Sequence, residues 1–139
     1  MRTIYLIGCV KKKATIPSIA RQLYISPLFK LSLRYAEKQK PDAIYILSAM
    51  HGVMELNQTI APYNQTLLGK KVTELHAWGA RVKAQLEAKA DLKKDQFIFL
   101  AGNNYQSALR PHLTHWNDPL AGLGLGKRLH WLKEHTTHD

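Results

Sequence analysis

Residues 3–9 read Thr-Ile-Tyr-Leu-Ile-Gly-Cys, and this apolar run predicts the first strand of a buried sheet. Two further runs of the same kind lie at residues 43–49 and 96–101. None of the three alternates strictly between apolar and polar residues. Strands that are covered on both faces, as in parallel sheets, have this pattern.

Helical patterns lie between and after these runs. Ser26 and Pro27 open the first helix as N-cap and first helical residue, and Pro41 ends it. Three more helices are predicted at residues 71–89, from about 104 to 110, and at 125–133. The apolar stripes of the second and last helices are Leu75, Trp78, Val82 and Leu86, and Leu125, Leu129 and Leu132.

Alternating strands and helices predict an α/β fold, a three-layer sandwich with a mostly parallel central sheet. We expect residues 1–139 to form a single domain, with residues 134–139 as a frayed tail. The segment 51–70 has no clear period and contains Pro62, so it is interpreted as an ordered functional loop.

The composition excludes several classes of protein. Hydrophobic residues make up 45% of the 139, which is too many for a disordered chain. No apolar run reaches the roughly 18 residues that a membrane span needs, and the N-terminal run is too short for a signal peptide. The single cysteine, Cys9, is typical of a reducing compartment, so we expect a cytoplasmic protein.

The charge balance indicates the class of partner. The chain has 20 Lys and Arg against 10 Asp and Glu, a net charge of +10, and Glu37 is its first acidic residue. Such an excess raises the local concentration of phosphate groups around the protein. We therefore expect nucleic acid or a nucleotide as partner, and no membrane.

The ends of the predicted strands locate the candidate site. In open parallel sheets, ligands bind outside the carboxyl ends of the strands. Those ends fall in the segments 8–13, 48–52 and 101–105, all rich in small or polar residues. We expect the three segments to meet at one edge of the sheet and to form a basic cleft.

The basic residues of these segments are candidate phosphate ligands. Lys11, Lys12 and Lys13 directly follow the first strand, although a solvated charged turn would have the same sequence. Arg21 is suited to bidentate phosphate contacts or to ordinary surface packing. Tyr24, Tyr63 and Tyr105 are candidates to contact sugars or bases, with Gly102, Asn104 and Lys127 as further binding residues.

A catalytic interpretation remains open beside the binding one. Ser48 and His51 suggest hydrolase chemistry, but Glu55 is the nearest acid that could orient them. If the protein is an enzyme, His51, Ser48 and Asn103 are the candidate catalytic residues. The absence of an obvious carboxylate in the predicted cleft argues against turnover.

No metal or cofactor is expected from the sequence. His112 and His115 lack a third ligand, and the lone cysteine cannot build a zinc cluster. The segment Gly122–Lys127 matches neither the dinucleotide nor the Walker phosphate-loop spacing. It is interpreted as a loop packed on the sheet or, alternatively, as an anion site at a helix start with Lys127 and Arg128.

Several of these segments carry a family resemblance. Leu47-Ser48, Gly52-Val53, Pro62-Tyr63 and Leu100-Ala101 with Tyr105 resemble motifs of the YaaA family of peroxide-stress proteins. A family of short YaaA-like domains is more similar still. The matching segments here are residues 9–13, 20–29, 48–52 and 119–126.

The resemblance implies DNA binding and a role in stress response or DNA protection. A similar domain in archaeosine-type tRNA-modifying enzymes implies handling of nucleobases. Two functions therefore stand as hypotheses. The first is nucleic-acid binding, with DNA as the expected ligand. The alternative is a small enzyme that cleaves an N-glycosidic bond or modifies a base.

Overall fold

A computed structural model describes residues 1–8, 16–63, 67 and 69–136 of the chain. Within these ranges the strands are β1 (Thr3–Gly8), β2 (Ser18–Ile19), β3 (Ala43–Ser48), β4 (Gly52–Glu55), β5 (Thr59–Ile60), β6 (Gln96–Leu100) and β7 (His115–Asn117). The helices are α1 (Ala20–Leu23), α2 (Pro27–Lys38), α3 (Val72–Glu87), α4 (Asn103–Leu109) and α5 (Leu125–Thr136). The three predicted strands are confirmed to within one residue.

The central sheet has five strands in the order β4-β3-β1-β6-β7. β3, β1, β6 and β7 run parallel, and the edge strand β4 is antiparallel to β3. A separate two-stranded ribbon pairs β2 with β5. The mostly parallel sheet predicted from the apolar runs is confirmed.

Helices cover both faces of this sheet, which makes the fold a three-layer α/β sandwich. Ile4 and Leu6 of β1 belong to a core cluster with residues of α3 and α4. Tyr5 and Ile7, the alternate residues of β1, belong to a second cluster with residues of α2 and α5. Successive side chains of a strand point to opposite faces, so one apolar run serves two cores.

The predicted start of α2 is confirmed. The hydroxyl of Ser26 accepts a hydrogen bond of 3.2 Å from the backbone N–H of Phe29, and Pro27 is the first helical residue. The cap fixes where the chain turns from the β2–α1 segment into the helix that covers β1.

The interpretation of residues 51–70 as one long loop is wrong in part. Gly52–Glu55 forms β4, a hairpin partner of β3, and Thr59–Ile60 forms β5. Gly52 makes the tight turn possible because its φ of 73° suits glycine. Strands of two and four residues are too short to show a period in the sequence.

The predicted C-terminal end also needs correction. Residues 134–136 are not a frayed tail but the last turn of α5, where Thr136 is buried. Leu125, expected to be buried, is 62% exposed. The helix contacts α2 through its C-terminal half, where the rings of Trp131 and Tyr35 lie 5.0 Å apart, so its first turn extends past that contact.

None of the described helices is both long and apolar enough to cross a membrane.

Candidate functional site at the carboxyl edge of the sheet

The carboxyl edge of the sheet brings together two of the three segments that the sequence singled out. β1 lies between β3 and β6, with Gly8 opposite Leu47 and Ile7 opposite Leu100. The Ser48–His51 turn and the start of α4 therefore flank the end of β1. Lys11, Lys12 and Lys13 lie outside the described residues.

The direction of the chain reverses between β1 and β6. From β1 the chain crosses one face through α2 to β3, and from β3 it returns over the other face through α3 to β6. Such a topological switch point leaves a crevice outside the strand ends, where ligands of open α/β sheets bind. Of the neighbouring strand pairs, β1 and β6 form this crevice.

A narrow cavity of about 50 Å³ lies at this point, and we call it the switch-point pocket. Its polar side chains are Ser32 of α2 and Arg128 of α5. The Nε of Arg128 donates a hydrogen bond of 2.7 Å to the carbonyl of Leu123. The remaining lining residues are Gly8, Leu28, Phe29, Leu100, Ala101, Gly102 and Leu120.

A larger pocket of about 290 Å³ adjoins the end of β3, and we call it the indole pocket. Its lining residues are Ala49, Leu67, Lys70, Glu74, Ala77, Trp78 and Arg81. The indole N–H of Trp78 donates to the carbonyl of Ser48 at 3.0 Å. Arg81 donates to the carbonyl of Ala49 at 3.2 Å, so both side chains anchor α3 to the strand end.

Comparison with models of known families identifies the family of this chain. The family of unknown function DUF6884 matches residues 4–134, nearly the whole sequence. The chain belongs to DUF6884. No curated protein matches it. The family assignment therefore supplies no activity, and the site itself is the source of information on the function of this DUF6884 protein.

Ser48 is not placed as a nucleophile paired with His51. Its side chain is fully buried, and its hydroxyl accepts hydrogen bonds from the backbone N–H groups of Met50 (3.2 Å) and His51 (3.1 Å). The same hydroxyl lies 2.7 Å from the hydroxyl of Tyr63. In the described part of the chain, no hydrogen bond joins the Ser48 hydroxyl to the His51 imidazole. Ser48 therefore holds the turn.

His51 lies in the turn with its ring half-buried. The imidazole packs edge-to-face on Tyr63, with ring centroids 5.3 Å apart. Its backbone carbonyl accepts a hydrogen bond of 3.2 Å from the amide of Gln85.

The structure buries two of the three tyrosines predicted to contact bases. Tyr24 is fully buried, and its hydroxyl lies 2.5 Å from that of Tyr63. Tyr105 is 8% exposed and packs edge-to-face on Trp78, with centroids 5.4 Å apart. Neither ring offers an open face for stacking, because the core needs its apolar area. Tyr63 is half-buried.

The predicted phosphate ligand Arg21 is engaged elsewhere. Its guanidinium donates to both carboxylate oxygens of Glu37, at 2.9 and 3.0 Å. This bidentate ion pair ties α1 to α2. The carboxylate of Glu37 therefore already neutralises the charge of Arg21, which makes Arg21 a weaker candidate for a phosphate ligand.

The remaining predicted residues lie at or near the edge. Gly102 lines the switch-point pocket, and Asn103 is exposed at the first residue of α4. The side-chain amide of Asn104 donates to the carbonyl of Leu67 at 3.3 Å, which links α4 to the indole pocket. Lys127 is exposed in the first turn of α5, and its neighbour Arg128 lines the pocket instead.

Three residues that line the two pockets were not predicted from the sequence: Ser32, Glu74 and Arg81. Arg81 follows Trp78 by three residues, so the two share a helix face, and this spacing was a usable signal. Arg128, by contrast, belongs with Lys127 to the alternative anion site predicted at a helix start, and it lines the switch-point pocket. No local signal marks Ser32, because only the packing of α2 on the sheet brings it to the strand ends.

Among the described residues, no group of three His, Cys, Asp or Glu side chains could hold a metal.

Proposed function

We propose that this protein binds nucleic acid, with DNA as the first expectation, through the carboxyl edge of its central sheet. The observation that carries the proposal is that two arginines at this edge lack a carboxylate partner among the described residues. Arg81 and Arg128 each line a pocket at this edge, and neither forms an ion pair with a carboxylate in the described part of the chain. Guanidinium groups of this kind favour phosphate oxygens.

The wider charge distribution supports the same function. The net charge is +10, and the Lys11–Lys13 triplet follows β1 in sequence, after the strand end that the two pockets flank. Cations at one edge attract polyanions and raise their association rate. The resemblance to the YaaA family points the same way and adds a role in stress response or DNA protection to the proposal.

Binding can be measured by fluorescence anisotropy with labelled duplex DNA, single-stranded DNA and RNA at several salt concentrations. We expect affinity to fall steeply with salt, because bound cations release counterions from the phosphates. Arg81→Gln should weaken binding and lower the log–log salt slope by about 1. Lys93→Gln is the matched control, since Lys93 is exposed in the turn before β6, at the opposite edge of the sheet.

The two variants decide between the carboxyl edge and general charge attraction. Equal losses in Arg81→Gln and Lys93→Gln would show that the edge is not the binding surface. If none of the three nucleic acids binds in a salt-dependent manner, the proposed function is wrong.

A second candidate function is hydrolysis of an N-glycosidic bond in a nucleotide, and Glu74 favours it. The predicted cleft lacked a carboxylate, and the indole pocket contains this one. In such a reaction Glu74 takes a proton from water, the water oxygen bonds to the sugar C1′, the C1′–N bond breaks with its electron pair on the base, and the proton held by Glu74 passes through solvent to the base.

Glu74 also has a structural role, which the test must separate from catalysis. Its Oε1 accepts a hydrogen bond of 3.4 Å from the backbone N–H of Lys71, the residue before the first turn of α3. Glu74→Gln keeps an oxygen for that bond but cannot act as a base. Free base released from nucleotides by the native protein and not by Glu74→Gln would support turnover, and no free base with the native protein would exclude it.

A further inference from the structure

We infer that the switch-point pocket is a binding site for a phosphomonoester group, in which Ser32 and Arg128 donate hydrogen bonds to the phosphate oxygens. This inference deepens the proposed function and rests on it for the nucleic-acid origin of the phosphate. A nucleoside monophosphate and the 5′-phosphate end of an oligonucleotide both carry this group.

Ser32 is the first observation. Its side chain is 3% exposed, lines the pocket, and forms no hydrogen bond with any residue that the structure describes. Buried hydroxyl groups are nearly always hydrogen-bonded, because leaving one unpaired is costly. Because Ser32 lines the pocket, a ligand atom or a water molecule there can supply the hydrogen-bond partner of this hydroxyl.

Arg128 is the second observation, and it determines the charge of the ligand. The bond from its Nε to the carbonyl of Leu123 fixes the plane of the guanidinium. No described carboxylate pairs with its two Nη groups. A guanidinium held in this way presents donors with little loss of side-chain entropy on binding. Since Arg128 contributes a positive charge and Ser32 a donor, the pocket suits an anionic acceptor.

The size of the pocket selects a terminal phosphate. Its volume of about 50 Å³ corresponds to about three water molecules at roughly 15 Å³ each. Phe29, Leu100 and Leu120 contribute apolar, buried walls. Such a cavity admits one small group at the end of a ligand, whereas an internal phosphodiester needs room for chain on both sides.

Isothermal titration calorimetry with inorganic phosphate, adenosine and adenosine 5′-monophosphate tests the site directly. We expect the monophosphate to bind at least about tenfold more tightly than adenosine, the effect of charge-assisted hydrogen bonds. A second arm compares two oligonucleotides of one sequence, with a 5′-phosphate or a 5′-hydroxyl end. Tighter binding of the phosphorylated one identifies nucleic-acid ends as a source.

Two pocket variants and one control assign the effect to the pocket. Arg128→Gln should weaken monophosphate binding about tenfold, and Ser32→Ala about fivefold. Lys133→Gln, which removes an exposed charge from the same helix, should leave it unchanged. Circular dichroism and thermal melting verify that each variant folds. Arg128→Gln loses the hydrogen bond to the carbonyl of Leu123 and could fail to fold for that reason. In that case Ser32→Ala still tests the pocket.

The outcomes separate the subsite from the proposed function. If oligonucleotides bind but the 5′-phosphate, Arg128→Gln and Ser32→Ala make no difference, the subsite is wrong and nucleic-acid binding stands. If the monophosphate binds in an Arg128- and Ser32-dependent manner while no oligonucleotide binds, the subsite stands and the proposed function fails. Equal losses in Lys133→Gln and Arg128→Gln would also overturn the subsite.

Discussion

Gly8 at the end of β1 and Ala101 after β6 lie so close that a Cβ on Gly8 would be 2.9 Å from the Cβ of Ala101. This approach brings the two strand ends together at the switch point. Both residues line the pocket there, so the contact also fixes the floor on which a ligand would rest.

Gly8→Ala should therefore destabilise the fold. The added methyl group also meets the Cα of Ala101 at 3.0 Å, and a backbone atom between two paired strands cannot move away easily. We expect a loss of about 1–3 kcal/mol in the free energy of unfolding, measured by urea denaturation. In Gly102→Ala the new Cβ meets no atom within 4 Å, and stability should change by less than about 0.5 kcal/mol. Equal effects would contradict the close contact.

Ser48→Ala should destabilise the turn after β3. The substitution removes the acceptor for the N–H groups of Met50 and His51 and the partner of the Tyr63 hydroxyl. Buried groups left unpaired cost about 1–3 kcal/mol, and the same denaturation experiment would detect the loss. The control is Ser107→Ala, an exposed serine of α4, which should be nearly neutral. A neutral Ser48→Ala would rule out this structural role.

Trp78→Phe tests the hydrogen bond that joins α3 to the end of β3. The indole is 5% exposed, and removal of its N–H leaves the carbonyl of Ser48 without this donor. We expect a cost of about 1–3 kcal/mol, observed as a lower midpoint of unfolding. Trp116 is 40% exposed on the edge strand β7, so Trp116→Phe should cost much less. A larger effect at Trp116 would refute the prediction.

Protonation of the Asp95 carboxylate should make the free energy of unfolding depend on pH in the acid range. Backbone N–H groups of Arg2 (3.0 Å) and Asp91 (2.8 Å) donate to its carboxylate, and these bonds lower its pKa below the ordinary 3.8. Because the folded pKa is depressed, the stabilisation is complete above about pH 3.8 and is lost as the pH falls through the lower folded value.

Urea unfolding of the native protein and of Asp95→Asn at a series of pH values from 7 to 2 measures this contribution to the free energy of unfolding. The variant should be less stable at pH 7 by about 2 kcal/mol, the value of hydrogen bonds to a charged group. The gap should narrow in acid as the native carboxylate is protonated. Glu87→Gln, at an exposed carboxylate, controls for the loss of one negative charge. A constant gap over the whole pH range would contradict the mechanism.

Elements that bury a long apolar pattern could be predicted from the sequence. The run at residues 43–49 and the stripe of Trp78, Val82 and Leu86 carry the signal of their own burial, because each is covered by the core. β5 and β7 have two and three residues and pair with strands farther away in the chain, and β4 has four residues in a hairpin with β3. Strands of this length are too short to show a local period, so they were missed.

The candidate site, like the fold, could be predicted from the sequence only in part. Spacing suggested that Ser48 and His51 act as a pair, yet Ser48 bonds to the backbone N–H of His51 and to Tyr63. Tyr24 had the residue type expected for base stacking, but its burial was decided by packing against Phe29 and Tyr63. Residue type and spacing describe what a side chain can do, and the neighbours that the fold supplies decide what it does.

The sequence alone determined the class of fold and the excess of positive charge, and it predicted the edge of the sheet that we propose for ligand binding. These follow from local periodicity, from the handed geometry of parallel strands, and from composition. Only the tertiary structure decided which cations line a pocket and which are paired. Arg21 pairs with Glu37, while Ser32 and Arg128, which are 96 positions apart in sequence, line the same pocket at the end of β1. Contacts over such separations arise from the packing of whole layers, which no short segment encodes.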